Sequence, residues 1–568
     1  MSHHDYISNE ERASMAGLTP AEAQALVSRT LQAIINAPPK RTLALRRLYN
    51  SAASINAKLP VEILVQIFRL SASADGSRRS MFRLPAVCHV WRILIHDTPV
   101  YWADCLSQFT NISPIGCNGK YWPSVIVHAV ARSAPLRFKF CLYSDFLPAL
   151  RTPTAEAHLS RMTAMYLDCN IRSEDPMRFF YHLHLPALES LELQVRCPFL
   201  PSPPADISAA RFPRLRTLKT NCAGFPLAWV GAPLRMLRIG AGAEIDTPSI
   251  ALWERCCFLQ SIPKLFEVLR QCPGLEVLNL FGCLWDDAAA VARIARSPAP
   301  TLDSLKALNL ASKPHVVRAL LEYLPLPRGT SVAIWTNSTY YAFSECLPVI
   351  NRLEAVSLIN QVELAVCRPR AAHPHIVQGY VSDDSDPDHW SRTLRLAVSL
   401  SDRSTTWSNY GFDLLEFFQG FAPIFSQAAI IQLGLTICQP RYVQYLAQRE
   451  AWAWLLRYFP RLTHLSLEAS TSKEFFSALA QENVMPELLN LRITLVGAED
   501  HGRSVELEAM VSALELRASR GLRLVSFEYR QQVKRRRGEL PSTLQGPYLE
   551  RLQAVVTKVT TPVPCYID

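Results

Sequence analysis

The sequence predicts a mixed α/β protein in which a small all-helical bundle near the amino end precedes a long stack of strand, turn and helix units. Three observations predict it. Two short, very apolar helical patterns lie close together between residues 59 and 102; the motif Leu-x-x-Leu-x-Leu recurs from about residue 162 onward; and apolar residues at i, i+3, i+4 and i+7 separate its copies. Of 568 residues, 49% are hydrophobic and 19% charged, below the roughly 25% charged share of ordinary domains, so the bulk of the chain has the composition of a packed protein.

Composition narrows the class further. The 20 glycines and 40 prolines follow no Gly-x-y period, which excludes a collagen-like chain. No stretch approaches ~18 consecutive apolar residues, and the first twenty residues are polar, with Asp5, Glu10 and Glu11, so no membrane span and no secretory leader are expected. Fifteen cysteines at irregular spacing, some inside apolar runs such as Cys141 and Cys438, read as reduced thiols and place the chain in cytoplasm, nucleus or both. The sequons at Asn111 and Asn337 then read as accidental. A net charge of +10 is modest for this length and does not argue for nucleic acid.

Residues 1–55 read as a disordered tail followed by leader helices: Pro20 opens one that carries Leu26, Leu31, Ile34 and Ile35, Pro38-Pro39 ends it, and a second, roughly Thr42 to Ala53, sets Leu45, Leu48 and Tyr49 opposite Arg46 and Arg47. Residues 56–109 read as a separate helical domain. In it Pro60 occupies the first helical position and Ile63, Leu64, Ile67 and Phe68 share one face. After the spacer SASADGSRR, Val87, Cys88, Trp91, Leu94 and Ile95 again follow helical spacing until Pro99 stops the run. So small a bundle holds more large apolar side chains than it can hide in itself.

Residues 110–568 carry the repeat. It reads as Leu188, Leu191, Leu193; Leu275, Leu278, Leu280; Leu305, Leu308, Leu310; and Leu462, Leu465, Leu467, with variant copies at 215, 234, 353, 430 and 488. In each copy the last two positions alternate with polar residues, as in a strand that buries one face. Helical patterns such as Val317, Leu320, Leu321, Leu324 and Trp452, Leu455, Leu456, Phe459 end just before a turn proline. Such units cannot bury their faces alone and so stack, which predicts an irregular leucine-rich-repeat solenoid, a horseshoe. First positions recur at 26 (462 to 488), 27 (188 to 215), 30 (275 to 305) and 32 (430 to 462), but also at 19, 41 and 48 residues. A disordered insertion is expected near residues 368–391, where Asp383, Asp384, Asp386 and Asp388 cluster without a period.

Chemistry-bearing motifs are absent. No HExxH, GxxxxGK[ST], GxSxG or CxxC occurs, so neither an enzyme nor a cofactor or metal is expected. Gly240-Ala-Gly242 lacks the third glycine and following helix of a dinucleotide loop and reads as a turn after a strand; the His182/His184 and His373/His375 pairs have no companion ligands at metal spacing. The basic run Lys534 to Arg537 reads as a solvated loop or, alternatively, as a nuclear import signal, and Ser382 and Ser385 as solvated residues or kinase targets.

One segment is more specific. LPVEILVQIF followed by VCHVWRILIHDTPVYW resembles the F-box motif, with Leu59, Pro60, Glu62, Ile63, Leu64, Ile67, Phe68, Val87, Cys88, Trp91 and Trp102 on pattern positions. The spacer before Val87 is longer than in the common motif, and Pro85 sits where the second helix would finish. Together with the degenerate repeats, this is similar to the F-box-like proteins of mushroom-forming fungi. The resemblance implies a non-catalytic substrate receptor of a Skp-cullin-F-box ubiquitin ligase: Leu59, Pro60, Ile63, Leu64, Ile67, Phe68, Val87, Cys88, Trp91 and Trp102 would dock on the Skp adaptor, and through it a cullin, while the repeats hold a protein substrate. Under the repeat model Glu192, Lys219, Arg238, Asn279, Phe281, His464, Glu468 and Arg492 flank the buried leucines and face the client. The alternative is a repeat scaffold without a ligase, its amino-terminal helices only a cap. No membrane partner is expected.

Overall fold

The computed structural model describes residues 7–33, 39–52, 55, 58–74, 80–107, 122–143, 146–169, 185–195, 212–221, 231, 233–240, 262–282, 299–337, 343–347, 354–366, 375–382, 392–401, 414–437, 448–469, 472–496, 503–534, 546–561 and 565–567. They form a mixed α/β structure in two compact units, Met1–Leu218 with Gly224–Trp229, and Lys219–Ala223 with Val230–Asp568.

The first unit begins with α1 (Asn9–Met15), α2 (Pro20–Ala33) and α3 (Pro39–Ser51). α1 lies in the stretch expected to be a disordered tail. A capping box forms it: the Glu11 N–H donates to Ser8 Oγ at 3.1 Å and the Ser8 N–H to Glu11 Oε2 at 2.8 Å, so two end donors are satisfied reciprocally. Arg41 of α3 pairs with Glu11 at 2.8 Å and ties the two helices together.

Four helices follow, α4 (Val61–Ala74), α5 (Ser80–Val87), α6 (His89–His96) and α7 (Pro99–Ser107). Pro85 stands inside α5, where the sequence suggested an end. Pro99 stops α6 and also opens α7, since its missing N–H is no loss at a first helical position. α8 (Trp122–Arg132) leads into the parallel strands β1 (Phe138–Tyr143), β2 (Met162–Cys169) and β3 (Ser190–Val195). α7 packs directly on β1, and the two compact units divide at Lys219.

In the chain order of the second unit, β4 (Thr217–Thr220) stands at the break, followed by β5 (Met236–Gly240), β6 (Val277–Phe281), β7 (Ala307–Ala311) and β8 (Ser331–Asn337). Strands β5 to β8 are parallel neighbours in register, Leu237 beside Leu278, Leu278 beside Leu308, and Leu308 beside Val332. A second parallel run contains β9 (Gln361–Val366), β12 (Gln432–Ile437), β13 (His464–Ala469), β14 (Asn490–Val496) and β15 (Leu524–Lys534). Two short strands, β16 (Val556–Thr560) and β17 (Cys565–Ile567), both pair with β15.

The two runs are joined by an insertion. β10 (His375–Ser382) pairs antiparallel with both β9 and β11 (Arg392–Ser401), and β11 pairs parallel with β8, so the spatial order is β8, β11, β10, β9, β12. This corrects the expected loop at 368–391: residues 375–382 form a strand because every second side chain can be buried, Val377 fully. Asp383 to Asp388 lie outside the described residues.

The motif leucines form the core. Each of the 188, 234, 275, 305, 430, 462 and 488 copies buries all three of its aliphatic positions to within 3% exposure, and the 215 copy buries Leu215 and Leu218 with Thr220 in third place. The first position of a copy ends a tight turn, as where the Leu275 N–H donates to Cys272 O and the Leu462 N–H to Phe459 O. One carbonyl of each turn then accepts two N–H groups of the next: Arg235 O from Glu276 and Val277, Glu276 O from Lys306 and Ala307, Ile431 O from Thr463 and His464, Thr463 O from Leu489 and Asn490. The copy expected at Leu353, Val356 and Leu358 is a correction. Glu354–Ser357 is a short helix, and the buried triplet is Ile359, Val362 and Leu364, which lead β9.

On the leucine side lie α9 (Ile262–Arg270), α10 (Pro314–Tyr323), α11 (Leu414–Phe421), α12 (Arg449–Tyr458), α13 (Lys473–Leu479), α14 (Arg503–Ser519) and α15 (Pro547–Val555). Successive helices interlock through rings: Phe418 of α11 meets Trp452 of α12 at 5.4 Å, and Trp452 meets Phe475 of α13 at 5.5 Å, both edge-on as aromatic quadrupoles prefer.

Candidate functional site

Two surfaces carry the residues singled out in the sequence. The first is the four-helix segment α4 to α7. Its interior is set by Leu64, Phe68, Cys88, Ile95 and Trp102, each under a tenth exposed. Phe68 packs its ring 4.7 Å from that of Trp91, Trp102 donates its indole N–H to Ile95 O at 2.8 Å, and Arg69 pairs with Asp104 at 2.5 Å across α4 and α7. Cys88 caps α6 with its sulfur, which accepts the Trp91 N–H at 3.4 Å.

Of the residues expected to dock a partner, Leu64, Phe68, Cys88 and Trp102 are therefore corrected: they are buried and hold the bundle together. Leu59, Ile67 and Trp91 are half-buried, and Pro60, Ile63 and Val87 are exposed. Sequence reasoning missed Val61, Leu70 and Ile93, which are 50%, 67% and 46% exposed. A finer phase of the helical pattern would have found Ile93, which stands off the buried stripe through Cys88 and Ile95.

His96 ends α6, its carbonyl accepting from Arg132 at 3.0 Å. Burial holds its imidazole below the usual histidine value, with the Arg132 and Arg92 cations acting in the same direction. His158 is shifted the same way by burial and by Arg161. The unfolded chain therefore takes up these protons first as pH falls, so stability is full above the unfolded histidine value near ~6.5 and declines as pH drops through it. The unfolding midpoint is expected to be lower at pH 5 than at pH 7.5, and the paired change His96→Gln with His158→Gln should shrink that gap. An unchanged gap would assign the effect to other groups.

The second surface is the strand face opposite the leucines. Register places Arg238, Asn279 and Asn309 side by side on β5 to β7, with Asn309 Nδ2 donating to Asn279 Oδ1 at 2.6 Å. On β13 to β15, Ser466, Arg492 and Glu528 are in register, and Arg492 pairs with Glu528 at 2.5 Å. His464 and Asn490 are neighbours, their Nε2 and Nδ2 atoms 2.8 Å apart. Glu468 lies beside Thr494. Arg238, Asn279, His464, Glu468 and Arg492 lie on this face. Glu192, on β3 of the first unit, accepts from Gln194 at 3.3 Å, and Lys219 is half-buried on β4.

Phe281 is a correction. It is 7% exposed, packed against Ala311 and the Trp335 ring at 6.0 Å, with the Arg238 guanidinium 5.1 Å above it. It supports the face and does not present itself to a partner. Trp335 was missed because β8 contains no leucine. A cavity of about 350 Å³ opens on the same face over β9, β10 and β12 to β15. It adds Gln361, Glu363, Gln378 and Gly434 to the Glu468 and Arg492 already named.

Gly240 closes β5 with φ +119°, a turn conformation. His182, His184, His373 and Arg535 to Arg537 lie outside the described residues, while His375 opens β10 and Lys534 ends β15. Among the described residues no group of three or more His, Cys, Asp or Glu side chains is placed to hold a metal, and no helix is long and apolar enough to cross a membrane. Cys88, Cys105, Cys141, Cys272 and Cys346 form no disulfide, and burial pushes the thiols of Cys105 and Cys272 up to about 12.

Comparison with known families decides the first surface: residues 57–106 match the F-box-like family model. The chain carries an F-box-like domain. F-box domains mediate protein–protein interaction and bind Skp-type adaptors in general, and F-box proteins are typically non-catalytic adaptors of ubiquitin ligases. The matched residues coincide with α4 to α7. A comparison with curated proteins finds no match to the chain.

Proposed function

We propose that the chain is the substrate-recognition subunit of a Skp-cullin-F-box ubiquitin ligase, of the kind found in mushroom-forming fungi. The F-box-like domain docks on the Skp adaptor through Leu59, Pro60, Ile63, Val87 and Trp91, joined by Val61 and Ile93. The strand ladder, read as an irregular leucine-rich-repeat solenoid, holds a client protein on the face opposite its leucines. Tethering raises the effective concentration of the client's lysines near a charged conjugating enzyme, so rate is gained by proximity and this chain contributes no catalytic group. Cytoplasm, nucleus or both is the compartment this role requires.

The observation that carries the reading is the set of exposed aliphatic side chains on an F-box-like domain, Val61, Ile63, Val87 and Ile93, each at least 40% exposed. A partner that buries them gains about 25 cal/mol for each Å² of apolar surface removed from water. The test is capture of a purified Skp-type adaptor by the full chain. The double change Ile63→Asp with Val87→Asp is expected to weaken capture roughly 100-fold, as central interface positions do, without moving the unfolding midpoint, because both side chains are already in water. Full affinity in that variant, or no capture by the parent chain, would leave the scaffold reading in its place.

A further inference from the structure

Resting on the reading that the F-box-like domain docks a Skp-type adaptor, we propose that the docking surface continues beyond that domain onto the leader helix α3. There Leu43, Arg46 and Tyr49 meet an apolar patch of the adaptor that is edged with carboxylates.

α3 is fixed in place by its inner side. Ala44 and Leu45 are buried, and the helix packs on both α2 and α6. Gln24 of α2 donates its Nε2 to Tyr49 O at 3.2 Å, and Arg41 pairs with Glu11 at 2.8 Å. With that side spent inside the protein, the helical period turns Leu43, Arg46 and Tyr49 outward, Leu43 at 49% and Tyr49 at 39% exposure.

Apolar side chains scattered singly over a surface are ordinary. These are not scattered. Ile55, 41% exposed, follows Tyr49 in the chain, and its carbonyl accepts the Leu59 N–H at 3.3 Å, which sets it one turn before Pro60. Val61 and Ile63, both exposed, come directly after. Exposed apolar side chains thus run from α3 through Ile55 to the start of α4, and α6, against which α3 rests, adds Ile93. A stable interface covers about 800 Å² on each partner, roughly 20–30 residues. A partner seated on the first turn of α4 with that footprint reaches Ile55 and Tyr49.

Charge selects the chemistry of the partner. From Leu43 to Ile63 the sequence holds Arg46, Arg47 and Lys58 against the single carboxylate of Glu62. None of the three cations forms an ion pair among the described residues, whereas Arg41 is already taken by Glu11. An apolar strip bordered by free cations complements a surface that is apolar at its centre and acidic at its edge. A second copy of this chain would bring the same cations against themselves. A lipid surface would need a broad apolar stripe to insert, and the stripe of α3 that carries Ala44 and Leu45 is buried.

The test measures capture of a purified Skp-type adaptor by the full chain, by calorimetry at low and at high salt. Leu43→Asp with Tyr49→Ser is expected to weaken capture about tenfold, less than Ile63→Asp with Val87→Asp because α3 lies at the periphery of the contact. Arg46→Glu with Arg47→Glu should weaken capture at low salt and make the affinity less dependent on salt. Leu516→Asp, at an exposed position on α14 of the second unit, should change neither, and an unmoved unfolding midpoint checks the fold of each variant. Full affinity in the folded Leu43/Tyr49 variant, or an unaltered salt dependence in the Arg46/Arg47 variant, would overturn the extension. If capture needs Ile63 and Val87 but is indifferent to both α3 variants, the extension alone falls; if the parent chain captures no adaptor, the ligase reading falls and the extension with it.

Discussion

Arg517→Met is expected to destabilise the second unit by about 3–5 kcal/mol, the range for two buried charge-assisted hydrogen bonds lost together. Arg517 lies on α14 and is 1% exposed. Its Nη1 and Nη2 donate to Val484 O at 2.7 Å and Met485 O at 2.9 Å, in the turn that leads into β14. The turn needs that support, since Asn483 and Met485 have φ of +58° and +46°, which side-chain-bearing residues adopt at a cost of roughly 1–2 kcal/mol. Met485 nevertheless keeps its side chain because full burial of a methionine stabilises by about 1.5–3 kcal/mol, more than the backbone costs. Burial lowers the Arg517 guanidinium to about 10, with the Arg520 cation adding to the effect, so it is still charged at neutral pH and still a full donor. Methionine conserves the stem and isolates the lost donors. Urea unfolding, with hydrogen exchange at residues 484–488, measures the change; a loss below about 1 kcal/mol would mean that water replaces the guanidinium at both carbonyls.

Gly240→Ala is expected to cost a comparable amount, about 3 kcal/mol or more, from two sources that add at one residue. Its φ of +119° is open to glycine and strained for alanine. Its Cβ would also lie 1.8 Å from Phe281 O on the neighbouring strand, and a backbone carbonyl in a paired ladder cannot step aside. The strand pair β5–β6 must open or the chain must leave the left-handed region. Gly521→Ala, at φ +82° with nothing within 4 Å of a new Cβ, carries the backbone penalty alone and should be milder. Equal midpoints for the two variants would show that the clash with Phe281 is relieved at no cost.

Much of the strand ladder was legible because its signal is local. A leucine that closes a turn, followed by two aliphatic residues alternating with polar ones, has one good burial arrangement, and Leu275, Leu278 and Leu280 follow it to zero or near-zero exposure. Where the aliphatics change type the signal fades. β8 uses Val332 and Ile334, and β9 uses Ile359, Val362 and Leu364, so a search keyed to leucine placed the copy at Leu353 to Leu358, several residues too early. That one error hid Gln361 and Glu363, although Gln-Val-Glu-Leu-Ala-Val alternates plainly enough to mark a strand. The F-box pattern was legible as a motif, but motif positions mix residues that fill the bundle with residues that face outward, and Phe68 and Ile63 look alike in that respect until α5, α6 and α7 are placed around them.

By itself the sequence determined the helical F-box-like segment, the alternation that makes one strand face apolar, and the scarcity of catalytic motifs, since each depends on residues within a few positions of one another. Tertiary structure alone decided that the β10–β11 pair is inserted between β8 and β9, that Phe281 lies beneath Arg238 and against Trp335, and that Gln361, Gly434 and Glu468 border one cavity. Those neighbours are brought together by the register between strands, and register is set by which aliphatic rows bury together, a choice that no single strand contains.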